Sequence, residues 1–503
     1  MSGIWLNIGC GKKHLSGFVN MDIAQPYDKK LDARKGLPYS DHAVDGVYSE
    51  HFFEHLTQAE GLGFLRECRR VLKPGGAVRI AMPDLDELVN RYISEDWRGN
   101  GDMFKLGFDW VVNRCEMLNI AMREWGHKHV YNEEELVRIA QASGLQPIKR
   151  CEHGKSDTPE FVGRETRNGS KLIMEFIKLD RRLATDAMPL ASILIPSYNP
   201  RFFREALESA INQSYQNIEI IVCDDCETDG VEKIMEGYKT NARVHYFKNP
   251  TRLMGRENLK MCFNLARGEF IKFLNDDDLL HPDCISRMLD CYRQFPDVAL
   301  VTSYRQLIDE NGRLLPDIFA TARLMQETAL IEGTKLASLA ISSRVNFIGE
   351  PSTVLFRKRD LEHVTPDILS FGGNGDIRGL GDLAMWLNLL CIGNASYIPD
   401  AMSYFRIHPA QRQRAPDIPA MVKKSWGHLW KAGKRLGLVG RPINQAVPTL
   451  GLGEGHWKTQ YFSRLNLQIR LVAILGSLYQ WGYALLRRCY FWALQRGLVK
   501  NLT

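Results

Sequence analysis

Three consecutive carboxylates are the most chemically suggestive feature of the sequence. Asp276, Asp277 and Asp278 follow Asn275, directly after a mostly apolar run at residues 270–274. Adjacent carboxylates repel one another, and a divalent cation relieves that repulsion. Oxygen ligands of this kind suit Mg²⁺ or Mn²⁺ better than zinc. The pattern therefore predicts a metal site, although an acidic turn that caps the next helix explains three aspartates alone equally well.

The neighbouring segments favour a ligand site at the edge of an α/β sheet. The apolar run predicts a buried strand, and ligands of open α/β sheets bind at the carboxyl ends of strands. A strand predicted at residues 218–223 also ends in acids, Asp224 and Asp225. Another, at residues 191–196, leads into a Pro-containing turn at 197–200. Ligand-type residues thus follow several strands of one unit.

Length and composition are those of an ordinary globular protein with more than one domain. The 503 residues suggest three domains, or two and a tail, at roughly 150 residues each. The net charge of +6 is mild and acidic residues are spread throughout, which argues against a nucleic-acid partner. Eleven scattered cysteines and a start without a basic, apolar leader predict reduced thiols and a cytoplasmic location. One CxxC, Cys223 to Cys226, stands without the second pair that a zinc site needs.

The first 180 residues alternate short strands with helices, which predicts a parallel sheet covered on both faces. A strand at residues 4–8 is followed by Gly9 and Gly11. Glycine allows the backbone to turn tightly there and to approach a ligand. Asp22 ends the second predicted strand and suits the hydroxyls of a ribose.

A series of motifs in this unit resembles class I S-adenosylmethionine-dependent methyltransferases of the kind found with cell-surface polysaccharide genes. The motifs are LNIGCG, NMDI, LPYSDHAVDGVYSEHFFEHL, RRVLKPGG and AMPD, within residues 3–178, with the later stretch GHKHVYNEEELVRIAQASGL at 126–145. The resemblance implies a Rossmann-like domain over residues 1–180 that binds S-adenosylmethionine. It places Gly9 and Gly11 under the cofactor, Asp22 at the ribose and Asp32 near the adenine. Many relatives have an acid where Asn7 stands here.

His51 and His55 lie within this series, beside a predicted strand end. Either is a candidate general base for a methyl acceptor, and a structural role suits each equally well. The five residues from 51 to 55 also match H-x-x-E-H, a zinc-peptidase pattern in which two histidines share one face of a helix. Their position inside the methyltransferase series argues against a peptidase.

The middle of the chain resembles family 2 glycosyltransferases of the GT-A fold. The matching motifs, in the order of the family over about 190–410, are ILIPSYNP, ESAINQSYQNIEIIVCDD, NPTRLMGRENLKMCFNLARGEFIKFLNDDDLLHPD, GLGDLAMWL and YFRIHP. The resemblance implies that a nucleotide-diphosphate sugar is the donor, with Asp224 or Asp225 against the base. The other residues expected beside the donor nucleotide are Pro196, Tyr198 and Asn199.

The same resemblance implies a metal site and its surroundings. Compared with the usual D-x-D-D pattern, Asn275 replaces the first acid, so Asp277 is the firmest expected metal ligand, with Asp276 and His408 beside it. The residues expected on the diphosphate and acceptor side are Asp278, Arg406 and Asn258. The metal is expected to stabilise the departing diphosphate.

Asp382 is the expected catalytic base, in Gly381-Asp382 before an apolar helix. The acceptor hydroxyl must lose a proton as it attacks, and a carboxylate opposite the leaving group can accept that proton. Direct displacement by the acceptor would invert the anomeric configuration of the sugar. The alternative is that Asp382 caps the helix.

The predicted order of domains is a linker at 181–190, a GT-A domain at 191–412 and a helical tail at 413–503. A helix is expected at 415–438. Further on, segment 462–500 contains sixteen residues without a charge, fewer than the about 20 that a membrane-spanning helix needs. Its basic and aromatic flanks favour a helix at the inner face of the cytoplasmic membrane. A helix packed on protein, in this chain or in a dimer partner, is the alternative.

The sequence therefore predicts a bifunctional enzyme of surface-glycan biosynthesis with two α/β domains. One activity is metal-dependent, inverting transfer of a sugar from a nucleotide-diphosphate sugar to a glycan or lipid-linked acceptor. The other is S-adenosylmethionine-dependent methyl transfer to a glycan. An alternative keeps the sugar transfer but makes the first domain a non-catalytic binding module.

Overall fold

The structure is a computed structural model that describes residues 3–98, 107–108, 110–295, 297–318, 320–411, 415–439, 447–451 and 458–460. Within these residues the chain forms two α/β units, each built on its own sheet. The first unit ends near residue 180 and the second begins with the strand at Ala191.

The first sheet has seven strands. They are β1 Trp5–Ile8, β2 Val19–Asp22, β3 Lys29–Lys30, β4 Val44–Glu50, β5 Leu72–Met82, β6 Gln146–Arg150 and β7 Leu172–Ile177. Their spatial order is β3-β2-β1-β4-β5-β7-β6, and β7 pairs antiparallel with β5 and with β6. The order reverses at β1, which pairs in parallel with β2 and β4. Ligands of open α/β sheets bind at such a switch point.

The helices of this unit begin at polar capping residues. They are α1 Gln58–Val71, α2 Leu85–Ile93, α3 Arg114–Arg123 and α4 Glu133–Ala142, with short 3-10 helices at Ala33–Lys35, Phe53–His55 and Pro159–Phe161. Thr57 accepts from the backbone of Glu60, whose carboxylate accepts from Thr57 N, which satisfies two amides at the start of α1. Apolar residues of α1 such as Phe64 and Leu65 pack with the buried strand residues in one core.

The second sheet has eleven strands. They are β8 Ala191–Ser197, β9 Ile218–Asp224, β10 Val244–Lys248, β11 Phe270–Phe273, β12 Leu279–Leu280, β13 Val298–Ile308, β14 Ala329–Ile331, β15 Leu355–Arg357, β16 Asn394–Arg406, β17 Val447–Gly451 and β18 Lys458–Gln460. The spatial order is β10-β9-β8-β11-β15-β13-β16-β14-β17-β18, with β12 paired to β16. Because β8, β9, β10 and β11 run parallel, their carboxyl ends meet at one edge.

The helices of the second unit bury their apolar faces against this sheet and against each other. They are α5 Pro200–Ile211, α6 Gly230–Met235, α7 Met254–Leu265, α8 Cys284–Gln294, α9 Gly333–Ser343, α10 Gly381–Ile392 and α11 Ile418–Arg435. On α5 the apolar residues Phe203, Ala206 and Leu207 are fully buried. The apolar helix α10 lies in the core, with Trp386 fully buried.

The predicted fold class of two successive α/β units followed by a helical region is confirmed. The helix expected at 415–438 is α11, and β17 extends the sheet beyond it. Segment 462–500 lies outside the described residues. None of the described helices is long and apolar enough to cross a bilayer. The described cysteines, Cys223 and Cys226 among them, are free thiols.

The two units contact each other through a buried cluster of charges around Asp297, just before β13. One oxygen of this carboxylate lies 3.1 Å from Lys178 Nζ and 3.7 Å from an Arg69 nitrogen, both in the first unit. Burial favours a higher pKa for Asp297, but the charges of Arg69 and Lys178 outweigh it and lower the pKa. Arg181, at the start of the predicted linker, is buried and pairs with Asp360 of the second unit. The segment between the units is therefore anchored at its first residue.

Candidate functional site

The strand ends of the second sheet are tied together by hydrogen bonds. The amide of Asp225, just after β9, donates to the carbonyl of Ser197 at the end of β8, at 2.8 Å. The side-chain amide of Asn258, on α7, donates to the carbonyls of Cys223 at 3.0 Å and Ser197 at 3.4 Å. Asn258 is buried, so this residue, expected on the diphosphate side, braces β8 against β9.

The three adjacent aspartates differ in their exposure. Asp276 and Asp278 are buried, whereas the side chain of Asp277 is 17% exposed. Within the trio, Asp277 therefore offers the carboxylate that a ligand can reach.

Asp276 supports the neighbouring strand. Its Oδ2 accepts from the backbone amides of Tyr198 at 2.8 Å and Asn199 at 2.9 Å, and from Ser197 Oγ at 3.2 Å. Burial, followed by the charge of Asp277, raises the pKa of Asp276 to about 7, although these donors oppose the shift. Asp276 thus fixes the turn after β8, where the Asn199 side chain caps α5.

Asp278 is held by donors from three parts of the chain. Its Oδ2 accepts from Ser352 Oγ at 2.6 Å and from the Asn275 side-chain amide at 2.9 Å, and its Oδ1 accepts from the Arg406 backbone amide at 3.1 Å. Burial, followed by the charge of Asp277, raises the pKa of Asp278 well above its usual value. Asn275, in the place of the first acid, therefore acts as an internal hydrogen-bond donor.

Asp277 and His408 form a pair at the same edge. Nε2 of His408 lies 3.0 Å from Oδ2 of Asp277. His408 is buried against the ring of Phe202, with 5.2 Å between centroids, and its Nδ1 has no hydrogen-bond partner among the described residues. A carboxylate oxygen and an imidazole nitrogen are both donors that Mn²⁺ accepts, and the carboxylate suits Mg²⁺. The pair fits the predicted metal site, whereas Asp276 and Asn275 bind within the protein.

Arg406 supports the Asp277–His408 pair through the backbone of Asp277. Its Nε donates to the carbonyl of Asp277 at 2.9 Å, and another nitrogen donates to Glu205 at 2.7 Å. The guanidinium lies over the ring of Phe202, 4.4 Å from its centroid, and is fully buried. Arg406, expected near the diphosphate, thus reaches the site through the backbone of Asp277.

Asp382 lies in the first turn of α10, whose N-cap is Leu380, so the alternative that Asp382 caps this helix is wrong. Its Oδ2 accepts from the side-chain amide of Asn346 at 2.9 Å. Burial raises the pKa of Asp382 to about 7, and the charge of Glu350 adds to the rise. A carboxyl with a pKa near neutrality is well matched to general-base catalysis.

Segment 346–353 connects Asp382 to the acidic trio. Asn346 binds Asp382 at one end, and Ser352 binds Asp278 at the other. Between them, the carbonyl of Gly349 accepts from Trp386 Nε1 at 2.9 Å. Sequence patterns left this segment without assigned roles, because its partners lie far away along the chain.

The acids at the end of β9 are both bound by protein donors. Asp224 is fully buried and accepts from Tyr246 Oη at 2.7 Å and Lys248 Nζ at 2.9 Å. Asp225 accepts from the backbone amide of Leu253 at 2.7 Å. Of the residues expected at the donor nucleotide, Pro196 and Asn199 are half-buried and Tyr198 is the most exposed, at 43%.

The glycine loop of the first unit follows β1 at the switch point of the sheet. Gly9 has φ +70°, and a Cβ there would lie 2.6 Å from the side chain of Phe52, so only glycine fits. The amide of Gly11 donates to Asp22 Oδ2 at 2.8 Å, and Asp22 Oδ1 accepts from Ala24 N at 3.0 Å. Three residues predicted at S-adenosylmethionine, Gly9, Gly11 and Asp22, are thus brought together.

Asp32 lies further along the same edge and caps the 3-10 helix Ala33–Lys35. Its two oxygens accept from Arg34 Nε at 2.8 Å and Arg34 NH2 at 3.0 Å. The hydrogen bond from Arg34 lowers the pKa of Asp32 to about 2, so this carboxylate stays charged at neutral pH.

Glu50, at the end of β4, was missed by the sequence analysis. Its carboxylate accepts from the backbone amides of Thr166 at 2.9 Å and Arg167 at 3.0 Å, and from Ser170 Oγ at 2.9 Å. Glu50, Thr166 and Gly9 line one narrow cleft. The acid anchors segment 166–170 beside the glycine loop.

His51 and His55 do not share a helical face. His51 directly follows β4 in a left-handed conformation with φ +50°, and His55 ends the 3-10 helix Phe53–His55. Nδ1 of His51 lies 3.3 Å from Glu54, and the ring of His55 faces that of His127, with 5.1 Å between centroids. The geometry of the zinc-peptidase pattern is therefore absent from this stretch.

Comparisons with known proteins match both units. Residues 192–360 match the family model for glycosyl transferase family 2, and residues 6–80 match a model for a methyltransferase domain. Chondroitin synthase of Escherichia coli is 34% identical over 130 residues, which is 25% of this chain and 19% of that protein. TuaG of Bacillus subtilis, named as a glycosyltransferase of teichuronic acid biosynthesis, is 25% identical over 267 residues, 52% of this chain and 91% of that protein.

Among solved structures, that of S. aureus TarS 1–349 in complex with UDP is 19% identical, with a TM-score of 0.37, over 50% of this chain and 70% of that one. The glycosyl transferase match includes the acidic trio, and the methyltransferase match includes the glycine loop. The chain thus matches, in order, a model for a methyltransferase domain and the model for glycosyl transferase family 2, each over less than half of its length.

Proposed function

We propose that the second unit transfers a sugar, with inversion, from a nucleotide-diphosphate sugar to a hydroxyl of a glycan or lipid-linked glycan. The observation that carries this proposal is the Asp277–His408 pair, 3.0 Å apart, at the edge where the parallel strands end. The match to glycosyl transferase family 2 supports the reaction class. The names of two relatives, chondroitin synthase and a teichuronic acid biosynthesis glycosyltransferase, support a polysaccharide product.

Asp277 and His408 would hold a divalent cation, Mg²⁺ or Mn²⁺. Such an ion, when bound, neutralises negative charge on the oxygens of a departing diphosphate. Asp276 and Asp278 support the pair by fixing the backbone on either side of Asp277 through their buried hydrogen bonds. Burial raises the pKa of both carboxyls and so disfavours their charged forms, whereas Asp277 is the exposed member of the trio.

The donor nucleotide would lie where β8 and β9 end. The exposed ring of Tyr198 offers a face on which a base can stack. Asp224 and Asp225 shape this end of the site by accepting hydrogen bonds. Asp224 accepts from Lys248 on β10, and Asp225 accepts from the amide of Leu253 just before α7.

Asp382 would accept the proton of the acceptor hydroxyl. Its pKa of about 7 leaves a large deprotonated fraction at neutral pH while keeping the carboxylate basic. Asn346 orients the carboxylate by donating to Oδ2 at 2.9 Å. A base placed opposite the leaving group supports direct displacement and inversion.

The first unit is proposed to bind S-adenosylmethionine, which supplies an electrophilic methyl group, and to methylate a glycan. A Cβ on Gly11 would meet no atom within 4 Å, so the loop leaves room for a ligand. The two oxygens of Asp22 keep lone pairs for ribose hydroxyls beyond the bonds from Gly11 and Ala24. The alternative is that the first unit is a binding module without catalytic activity. Calorimetry with S-adenosylmethionine tests this, because the absence of any binding would favour the module.

The test of sugar transfer is Asp277→Ala, with Asp290→Ala as the matched control, because Asp290 is an exposed acid on α8. Both proteins are incubated with a lipid-linked acceptor pool and a panel of nucleotide sugars, and products are read by mass spectrometry. Asp277→Ala is expected to reduce transfer roughly a thousandfold, since several kcal/mol of charge stabilisation are lost. Heat of S-adenosylmethionine binding should not change. Transfer at the rate of the control would show that the active site is misplaced.

Contact of segment 462–500 with the inner leaflet stays a proposal from its sequence. Its basic and aromatic residues support attraction to anionic lipid. Flotation with liposomes measures membrane binding of the full-length protein and of a protein truncated at residue 455. Equal flotation of the two proteins would contradict membrane contact by this segment.

A further inference from the structure

A buried carboxylate without a hydrogen-bond donor lies in the first unit. Glu54 is 0% exposed, and neither of its oxygens has a hydrogen-bond partner among the described residues. A buried, unpaired carboxylate is strongly unfavourable unless a positive charge compensates it. Lys128 does not supply that charge, because its ammonium pairs with Glu60 at 3.2 Å.

Histidines surround this carboxylate. One ligand atom each of Glu54, His55 and His127 lie within 4.8 Å of one another. Nε2 of His127 is 3.9 Å from Glu54 Oε1. Ligands at tetrahedral angles around an ion, with bonds of about 2 Å, are separated by roughly 3.3 Å, so one ion can bridge a gap of this size with small shifts.

The orientation of His127 shows which nitrogen faces the carboxylate. Its Nδ1 lies 2.8 Å from the carbonyl oxygen of Ala121, which can only accept, so Nδ1 carries the proton. In a neutral ring with the proton on Nδ1, Nε2 presents a lone pair towards Glu54 Oε1, 3.9 Å away. Two lone pairs that face each other call for a cation between them. A ring nitrogen bound to a backbone carbonyl is also the usual support of a metal-binding histidine.

The backbone holds the two segments together independently of the side chains. The amides of Lys128 and His129 donate to the carbonyl of Glu54 at 2.8 Å and 3.2 Å. The segment with His127 is thereby fixed against the 3-10 helix that carries Glu54 and His55. The candidate ligands are therefore positioned before any ion binds.

We propose that Glu54, His55 and His127 form a binding site for a divalent transition-metal ion, with Zn²⁺ as the best match. Two imidazoles and one carboxylate are a donor set that zinc takes in sites with one open position. The site is separate from the Asp277–His408 pair, which belongs to the other unit. It also differs from the H-x-x-E-H pattern, because His127 replaces His51 as the second histidine.

This assignment narrows the candidates for a methyl-acceptor base. His55 becomes a ligand, so its ring nitrogen is not free to take a proton. His51 stays available, since its Nε2 is buried without a hydrogen-bond partner among the described residues. Its Nδ1, 3.3 Å from Glu54 Oε1, lies beside the proposed ion site.

The test measures metal binding alone, without S-adenosylmethionine or glycan. Full-length protein carrying Asp277→Ala, which removes the competing site, is stripped with a chelator and titrated with Zn²⁺ by calorimetry and with Co²⁺ by visible absorption. One equivalent is expected to bind. Glu54→Gln and His127→Gln are each expected to weaken binding a hundredfold or more, whereas His129→Gln, a histidine two residues away, should bind as before.

Folding is checked for each variant by circular dichroism. If Glu54→Gln fails to fold, Glu54→Asp, which keeps the charge but withdraws the oxygens, is expected to fold and to bind Zn²⁺ at least tenfold more weakly. Unchanged zinc affinity and cobalt spectra in His127→Gln and in the folded Glu54 variant would overturn the proposal, as would the absence of any zinc binding.

Discussion

Asp276, Asp277 and Asp278 have the same side chain and consecutive positions, but their surroundings differ. Burial raises the pKa of Asp276 to about 7 and that of Asp278 well above its usual value. The partly exposed Asp277 faces His408. Burial and the nearby charge of Asp277 disfavour the charged form of both neighbours, which limits the repulsion within the trio.

The raised pKa of Asp382 predicts the pH dependence of sugar transfer. A general base acts when deprotonated, so kcat is expected to rise with pH up to about 7 and to level off above it. Asp382→Asn should reduce kcat by roughly 10² to 10⁴ and remove this dependence. The pKa of Asp276 is also about 7, so Asp276 could produce the same pH dependence. The rate is therefore measured against pH for the wild type and for Asp382→Asn, in which any dependence that remains belongs to Asp276.

Thermal unfolding provides the complementary measurement. The folded pKa of Asp382 lies above the ordinary value of 3.8, so the folded state loses stability as pH rises from about 4 to 7. Asp382→Asn is therefore expected to unfold at a higher temperature than the wild type at pH 8. A flat rate profile between pH 5 and 8 in the wild type would contradict the assignment of the base.

At the scale of elements, each candidate site depends on how a strand ends. In the first sheet, β1 is followed by a glycine because Phe52 occupies the space of a Cβ. In the second, the turn after β8 is closed by Asp276, which follows β11, a neighbouring strand of β8. The chemistry of both sites therefore depends on a short connection held from a neighbouring element.

Gly9→Ala tests the glycine loop. A residue other than glycine in the left-handed region loses roughly 1–2 kcal/mol, and the contact with Phe52 at 2.6 Å adds to this. We expect a lower free energy of unfolding of the first domain and weaker S-adenosylmethionine binding. Chemical denaturation and calorimetry measure the two effects.

The matched control is Gly63→Ala on α1, where a Cβ would meet no atom within 4 Å. Alanine inside a helix is more stable than glycine by roughly 0.5–1 kcal/mol, so this variant should be slightly more stable and bind the cofactor normally. If Gly9→Ala behaved like Gly63→Ala, the loop would not have the constraint described.

At the scale of the whole molecule, the two domains are joined by buried charge and not by chain connectivity alone. Asp297 faces Lys178 and Arg69 across the contact, and Arg66 of α1 donates to the carbonyl of Leu436, beyond α11, at 2.9 Å. Burial lowers the pKa of Lys178 to about 8, which shows how strongly the contact excludes water.

Asp297→Asn is expected to loosen this contact. Removing one member of a buried ion cluster leaves the cations uncompensated and costs about 3–5 kcal/mol. We expect a lower midpoint of thermal unfolding and faster tryptic cleavage after Lys178 and Arg182. Asp400→Asn, which removes a surface pair with Arg287, should change neither, and equal behaviour of the two variants would contradict the role of Asp297.

The sequence by itself determined the order of the domains, the strand ends and most residue types of the two sites. Strand patterns, glycines such as Gly9 and acids such as Asp277 are local signals, because backbone geometry and charge act over a few residues. Only the tertiary structure decided which of these groups are free to react. Ser352 meets Asp278 across 74 positions, and His127 reaches Glu54 from a separate segment. Burial and hydrogen bonds between distant segments set the charge of a carboxylate, and those contacts exist only after folding.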